Sequence, residues 1–415
     1  MSFKNTDIGL IPSEWDFDTI GDSLYIKGRI GWKGLKKSEY IDKSDYRIIN
    51  GSNVVNNNID WSGCGYISEE RYEESPEIML KPNDIVMTKD GTIGKLAIIR
   101  SLEQKTTVAS GLFVIRVEDN SIDVDYLYYY FSSFYFKELV KSRIEGSVIP
   151  HLYQKDLVAL KLPLPDLSEQ KAISKILRTL DDKIEVNNQI NKTLENMALA
   201  IFKQWFVDFE FPNEDGEPYK SSGGEMIESE LGRIPVGWEV GKFIDLIEIT
   251  SGKRPGKRSE LAMEDSKYPL VGASSIMGYT DDFNFEEKIL VIGRVGTHGV
   301  VQRFNNKVWA SDNTLVIKSD NYEFAYQILN QIDYKAINRG STQPLITQTD
   351  IKNYTLIIPT EVYLSKFELL VGSLFEFHSN HCIENSKLTE IRDSLLPKLM
   401  SGEIRVSLDA EDDAS

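Results

Sequence analysis

The strongest constraint on this fold is that the sequence repeats itself, in order, along its length. Ile8-Gly-Leu-Ile-Pro-Ser-Glu-Trp15 returns as Leu231-Gly-Arg-Ile-Pro-Val-Gly-Trp238. Gly91-Thr-Ile-Gly94 returns as Gly296-Thr-His-Gly299, and Gly146-Ser-Val-Ile-Pro150 as Gly340-Ser-Thr-Gln-Pro344. From that last block onward one offset of 194 residues holds, so that Asp156 matches Asp350, Pro165 matches Pro359 and Asn191 matches Asn385. Solenoid repeats run to roughly 20–50 residues, so this period excludes a solenoid. Each copy closes with a helical stretch, Asp166–Val207 and Thr360–Ser401. The implied object is a domain-plus-helix unit made twice, a pseudo-symmetric tool with two heads.

A chain of 415 residues has room for two or three domains, each able to bury its own core. The formal net charge of −17 argues at first against a polyanionic partner, but its distribution weakens the objection. Residues 208–230 carry eight acids and one lysine, and the tail from Val406 adds Asp409, Glu411, Asp412 and Asp413. By contrast, Lys27, Arg29, Lys33, Lys36 and Lys37 stand together without an acid. Gly241 to Arg258 forms a second basic stretch, with Lys242, Lys253, Arg254, Lys257 and Arg258 against Asp245 and Glu248. Both follow shortly after the repeated Ile-Pro-x-x-Trp motif. Remote acids are screened beyond about 8 Å, so a local basic loop can still meet phosphates. The N-terminal residues lack the apolar stretch of a signal peptide, and no run is long enough to cross a bilayer. The expectation is a cytoplasmic protein without membrane contact. Cys64 and Cys382 alone make neither a disulfide framework nor a cysteine-rich zinc site.

In the first half, Asp84–Thr88, Leu96–Arg100 and Leu112–Val117 read as strands and Asp125–Val140 as a helix. Ile289–Ile292, Val300-Val301, Thr314–Lys318 and a helix near Tyr322–Ile332 repeat the arrangement. The helical stretches are clearer. Ile173, Leu177, Leu180, Ile184, Asn187, Asn191, Leu194, Ala198, Ile201 and Trp205 follow steps of four and three, a coiled-coil seam that requires a partner. The matching positions are Phe367, Val371, Leu374, His378, His381, Asn385, Leu388, Arg392, Leu395 and Leu399. Both seams turn polar in the middle, which costs stability and fixes register. Antiparallel pairing sets polar middle against polar middle, and the long connector ahead of a whole second domain suits that reversal. Asp166 and Glu169 supply a start resembling a capping box. The expected class is α+β: two mixed, strand-rich domains joined by two long antiparallel coiled-coil helices, with an internal pseudo-two-fold repeat. The expected boundaries are 1–165 and 231–359 for the domains and 166–207 and 360–401 for the helices. An acidic linker takes 208–230 and an acidic tail 402–415.

Chemical constellations are sparse. His378 and His381 are spaced to share a helical face, but no second ligand pair is near and both occupy seam positions. Asp166 and Glu169 sit at a helix start, where capping accounts for them. The Gly-Thr-x-Gly blocks lack the lysine and spacing of a phosphate-binding loop and read as tight turns. No nucleophile motif or cofactor fingerprint stands out. Paired features without a catalytic set point to recognition rather than reaction, with no cofactor of the chain's own.

The run Leu162-Pro-Leu-Pro-Asp-Leu-Ser-Glu-Gln-Lys-Ala-Ile173, then Asp181-Asp-Lys-Ile184, Asn188, Asn191 and Phe202-Lys-Gln-Trp-Phe-Val-Asp-Phe209, resembles the central spacer of type I restriction-modification specificity subunits. Tyr219–Met226, Glu230–Pro235 and Gly237-Trp238 are similar to the opening of that family's second target-recognition domain, and Leu395–Ile404 to its C-terminal end. The second helix departs from the pattern, with Tyr363 and Leu364 where the first has Glu169 and Gln170. The resemblance implies a non-catalytic subunit in which each domain reads one half of an asymmetric two-part site on double-stranded DNA. It implies that the paired helices set the gap. It also implies two modification subunits, carrying S-adenosylmethionine, and restriction subunits as partners. Candidate base readers are Arg29, Arg254, Arg294 and Arg339 toward guanine and Gln343 toward adenine. Lys27, Lys33, Lys36, Lys37, Lys89, Lys253 and Lys257 are candidates for phosphate, with Arg258 in the same basic stretch. The rival class is a coiled-coil adaptor that binds only proteins, which leaves the paired basic loops unexplained. A stand-alone nucleic-acid enzyme is disfavoured by the missing cofactor and metal motifs.

Overall fold

The computed structural model describes residues 2–30, 34–144, 151–339 and 345–406. The chain forms two compact units, Met1–Val186 with Glu384–Ser415, and Asn187–Ile383. Each long helix is therefore divided between the two units.

In the first unit the strands Leu96–Ile98, Ile85–Thr88, Leu112–Val117 and Leu24–Gly28 lie side by side, all antiparallel. Alternation along them explains why both faces are covered. Ile85, Met87, Phe113 and Ile115 point to a core shared with the helix Val124–Ser132. Val86, Val114 and Leu112 point the other way, joining Ile49 and Val108 of a second sheet. That sheet runs Lys105–Val108, Tyr46–Ile49, Gly65–Tyr66, its first pair parallel and its second antiparallel. The pair Lys161–Leu164 with Asp16–Thr19 and the hairpin Phe3–Thr6 with Gly9–Pro12 complete the frame.

The second unit repeats this strand by strand. Its larger sheet runs Val301–Phe304, Ile289–Gly293, Thr314–Lys318, Glu248–Ser251, again wholly antiparallel. Its smaller sheet runs Trp309–Ala310, Tyr268–Val271, Ile276–Thr280, with the same parallel and antiparallel neighbours. Thr355–Ile358 pairs with Glu239–Lys242, and Met226–Ser229 with Gly232–Pro235. Both repeated tryptophans close the same turn, Trp15 N–H donating to Pro12 O and Trp238 N–H to Pro235 O, each at 3.1 Å. The fold is α+β and internally repeated, as the sequence motifs imply.

One sequence expectation needs correction. Asp125–Val140 is not a single helix: Val124–Ser132 ends at Ser133, and a second helix runs Phe134–Ile144. Ser133 is extended at φ −72°, ψ 161°, and its buried hydroxyl donates to Tyr130 O at 2.6 Å. A local side-chain bond of this kind competes with helix continuation.

The long helices are Leu167–Phe202 and Glu361–Met400. All twenty seam positions are buried or half-buried, including Leu180, Ile184, Leu194, Leu374, Leu388 and Leu395. Within the first unit Ile173 and Leu177 share a core with Leu396, Leu399 and Met400. Asp181 meets Arg392 at 2.6 Å, and Lys183 meets Glu384 at 3.3 Å. Within the second, Ala198 and Phe202 share a core with Phe367 and Val371. Asn191 Oδ1 meets His381 Nδ1 at 2.9 Å, and Glu195 meets His378 Nε2 at 3.3 Å. One helix ascends in number as the other descends, so the pairing is antiparallel. The polar middle is satisfied rather than void: Asn187 and Asn191 are buried. After Phe202 a π turn, Lys203–Val207, carries Trp205 and Phe206 into the second unit's core.

Candidate nucleic-acid interface

Because neighbouring strands are antiparallel, one end of each larger sheet collects several loops. In the second unit these leave Ser251, Gly293, Val301 and Thr314. A Cβ on Gly252 would stand 2.1 Å from Ser311 O, so only glycine lets the basic loop start this close to its neighbour. Lys253 N–H then donates to Ala310 O at 2.9 Å, and Trp309 Nε1 donates to Lys253 O at 2.7 Å. Arg294 N–H donates to Asn313 O at 2.8 Å, while Arg294 O accepts from Ile346 N–H at 3.0 Å. Arg339 N–H donates to Leu345 O at 3.1 Å. Lys253, Arg254, Arg294 and Arg339 thus gather at one sheet end. Lys253 and Arg254 are exposed there, Arg294 is half-buried, and the exposed Arg339 pairs with Asp350. Burial works against ionisation of Asp350, but the Thr347 hydroxyl and amide, with Arg339, outweigh it and hold the carboxyl below its usual range. Lys257 and Arg258 turn away, toward Asp281 at 3.3 Å and Met277 O at 2.9 Å beside the smaller sheet.

The first unit keeps the backbone pattern with other side chains. Lys89 N–H donates to Gly111 O at 2.9 Å and Lys89 O accepts from Leu152 N–H at 3.1 Å, the bonds that Arg294 makes in the second unit. Lys89 Nζ lies 5.0 Å from the Phe113 ring centre, and burial pushes its ammonium below the ordinary lysine value. Lys27 is half-buried over Tyr25 at 5.5 Å. Lys36 and Lys37 are exposed beside Glu39, which pairs with Arg71 at 3.1 Å. Lys33 and Gln343 lie outside the described residues, as do the repeated Gly146–Pro150 and Gly340–Pro344 blocks.

Arg29 is a correction. It is 3% exposed, with Nε donating to Val108 O at 3.1 Å and Nη1 to Ser75 Oγ at 3.3 Å. Its guanidinium holds the smaller sheet to the larger one and is not presented to a duplex. Alternation on the strand preceding it put Arg29 on an inward face, a consequence that composition of the loop alone does not reveal.

Sequence reasoning missed a further group. Asp90 and His151 form an isolated bridge and a side-chain pair, with Tyr153 edge-on to the imidazole at 4.6 Å. The available signal was position: His151, one of four histidines, directly follows a repeated motif. The turns Gly91–Gly94 and Gly296–Gly299 have φ between +67° and +87° at their glycines, which explains why glycine recurs there. Among the described residues no group of three His, Cys, Asp or Glu is placed to hold a metal. Among them, too, no helix is long and apolar enough to cross a membrane.

A strand-rich frame is built twice, with different side chains at equivalent loop ends, and each copy is followed by a long helix. Comparison with known proteins agrees. Residues 12–196 and 235–361 match the type I restriction modification DNA specificity domain. The chain is 31% identical over 435 residues to the type I restriction enzyme MjaIX specificity subunit of Methanocaldococcus jannaschii, covering 97% of this chain and 96% of that one. It is 29% identical to the HindI specificity subunit of Haemophilus influenzae, over 65% of this chain and 74% of that one. The S subunit of a type I restriction-modification system from M. genitalium shares the fold at a TM-score of 0.55 and 17% identity, covering 96% of this chain and 98% of that one. The chain belongs to the type I restriction-modification specificity subunits.

Proposed function

We propose that this chain is the DNA-reading scaffold of a type I restriction-modification complex, one target-recognition domain reading each half of an asymmetric two-part site. The observation that carries this reading is one frame made twice with unequal chemistry at the loop ends, Lys89 standing where Arg294 stands and Asp90 where Val295 stands. Equal frames give equal docking to a duplex, and unequal loops give two different half-sequences. In this reading residues 1–165 and 231–359 are the readers, and 166–207 and 360–401 the spacer. Residues 208–225 pack on the second reader through Phe209, Phe211 and Tyr219 rather than tethering it loosely.

The helices have a second task. Their seam is satisfied by each other, yet outward positions stay apolar, Val362 at 60%, Leu369 at 80% and Phe377 at 61% exposure. Exposed apolar residues recurring along one helix suit the docking of further helices. We assign these faces to two modification subunits, which carry S-adenosylmethionine and the methyl transfer, with restriction subunits joining the assembly. The chain supplies recognition and no catalytic group.

The test replaces residues 20–145 with the same region of another family member and maps methylation in cells carrying the whole system. One half-site should change while the other persists. If both halves change together, two independent readers is the wrong description. A protein-only adaptor would instead show no steep loss of DNA affinity with salt.

A further inference from the structure

The isolated bridge beside the repeated glycine turn occurs in both units, Asp90 with His151 and Val295 with Leu345. Its surroundings are held alike: Leu152 N–H donates to Lys89 O at 3.1 Å, and Ile346 N–H to Arg294 O at 3.0 Å. The side chains differ completely. In the second unit the bridge carries two half-buried aliphatic residues. In the first it carries a carboxylate and an imidazole, 46% and 31% exposed, at the sheet end where the loops collect. A bridge needed only for folding is met by Val295 and Leu345, so the His–Asp pair answers to something else.

We propose that His151 is a base-reading residue of the first unit and that Asp90 is its positioning residue, an inference that rests on the DNA-reading function above. An ionised carboxylate can only accept, so Asp90 fixes the proton of His151 on Nδ1. That leaves Nε2 as the ring atom available to a ligand. Tyr153, 55% exposed and edge-on to the ring at 4.6 Å, limits its swing from one side, and Lys155 lies over Tyr153 at 5.4 Å. An imidazole nitrogen held in one orientation beside a duplex meets a base edge with a defined hydrogen-bonding role. A lysine on its flexible stem does not. With Nδ1–H committed to Asp90, Nε2 is presented to the base edge as an acceptor, which selects the exocyclic amino group of adenine or cytosine in the major groove.

The experiment uses the full chain with its modification subunits, first on a genome and then on a library randomised at one half-site. The wild type must first give a two-part methylated sequence; failure there would sink the DNA-reading function itself rather than this assignment. With that in hand, His151→Ala should relax one base position of the first half-site, on the order of tenfold in discrimination, and leave the second half-site unchanged. Asp90→Ala should relax the same position more weakly, whereas Asp90→Asn, which keeps an acceptor for Nδ1–H, should retain selectivity. Circular dichroism and assembly with the modification subunits check that each variant is folded. Unchanged discrimination in His151→Ala would overturn the proposal. So would a uniform loss of affinity across all sequences, since that marks a phosphate contact.

Discussion

The two repeated tryptophans sit in the same backbone turn, and what covers them differs in kind. Trp15 donates from Nε1 to Glu169 at 3.0 Å, and Glu169 is held at 2.6 and 2.9 Å by Arg405, whose guanidinium lies 5.6 Å from the Trp15 ring centre. Arg405 also pairs with Glu14, and the Glu169 bonds raise its own proton affinity further. Trp238 is instead stacked by Phe211 at 4.9 Å and 19°, with Tyr363 against Phe211 at 4.2 Å. The 194-residue offset relates Glu169 to Tyr363 and Arg405 to Phe211. An acid and a base on one tryptophan have thus been exchanged together for two aromatic rings on the other. The lesson is that the repeat preserves the junction and not the chemistry that makes it. It also explains why the second helix lacks the Glu-Gln pair. Gln170 ties its helix to the first unit through Asp123 N–H at 2.9 Å, while Leu364 at the matching place is buried in the second unit's core.

The largest effect should come from breaking the aromatic junction. Trp238→Ala removes a ring packed among Phe206, Phe209 and Phe211 and should cost the second unit about 3–5 kcal/mol. Hydrogen exchange would show lost protection in that unit and little change in the strands of the first. Equal loss in both units would mean that they unfold as one.

Exchanging the chemistries tests the coupling directly. Arg405→Phe alone leaves the Glu169 carboxylate, with 5% side-chain exposure, short of its cation and should cost about 2–3 kcal/mol. Glu169→Tyr alone removes the partner of Arg405 and of Trp15 Nε1. The double variant recreates the aromatic set of the other unit and should recover much of the loss, a coupling of at least about 1 kcal/mol in a double-mutant cycle. Additive losses would show that Phe211 and Tyr363 depend on neighbours absent around Trp15.

Residues that obey a period were legible in the sequence. The 4-3 steps from Ile173 to Trp205 located a seam correctly, because burial in a helix pair imposes that spacing whatever the rest of the fold does. That the two polar middles meet was also legible, since the long connector ahead of a whole second domain suits antiparallel pairing; which residues meet, Asn191 with His381, came only from the structure. What was hidden depends on distant partners. Arg29 looked like a loop cation until the smaller sheet placed Val108 and Ser75 around it. Glu169 looked like half of a capping box; Asp166 does cap Glu169 N–H at 2.9 Å, but the Glu169 side chain turns to Trp15 and Arg405. The acidic stretch after Val207 read as a connector because its charges outnumber its rings, yet Phe209, Phe211 and Tyr219 decide where it lies. For the candidate interface, the gathering of Lys253, Arg254, Arg294 and Arg339 follows from strand order, which no local motif encodes.

The smallest predicted difference concerns how each long helix grips the short helix of its own unit. Val124–Ser132 is capped by its own Asp123, which accepts from Tyr126 N–H at 2.9 Å and from Ser174 Oγ at 2.9 Å. Tyr322–Gln331 has no such side-chain cap at Asn321. Glu368, at the position matching Ser174, supplies it from the long helix, accepting from Glu323 and Phe324 N–H at 3.0 and 2.9 Å. Burial raises the Glu368 carboxyl from 4.5 to about 7, against the two amide bonds that favour its ionised form. The sign follows from linkage. A group that holds its proton more tightly when folded contributes stability fully below its unfolded value, and that contribution is lost as pH rises from about 4.5 through about 7. Glu368→Gln keeps an amide acceptor and cannot ionise. It should therefore leave the second unit about 1–2 kcal/mol more stable than the wild type above pH 7, with the gap closing toward pH 5. Unfolding curves at several pH values, followed by exchange at the amides of Glu323 and Phe324, would measure it. Parallel wild-type and variant profiles would mean that Glu368 stays ionised on folding and that its two amide bonds prevail over burial.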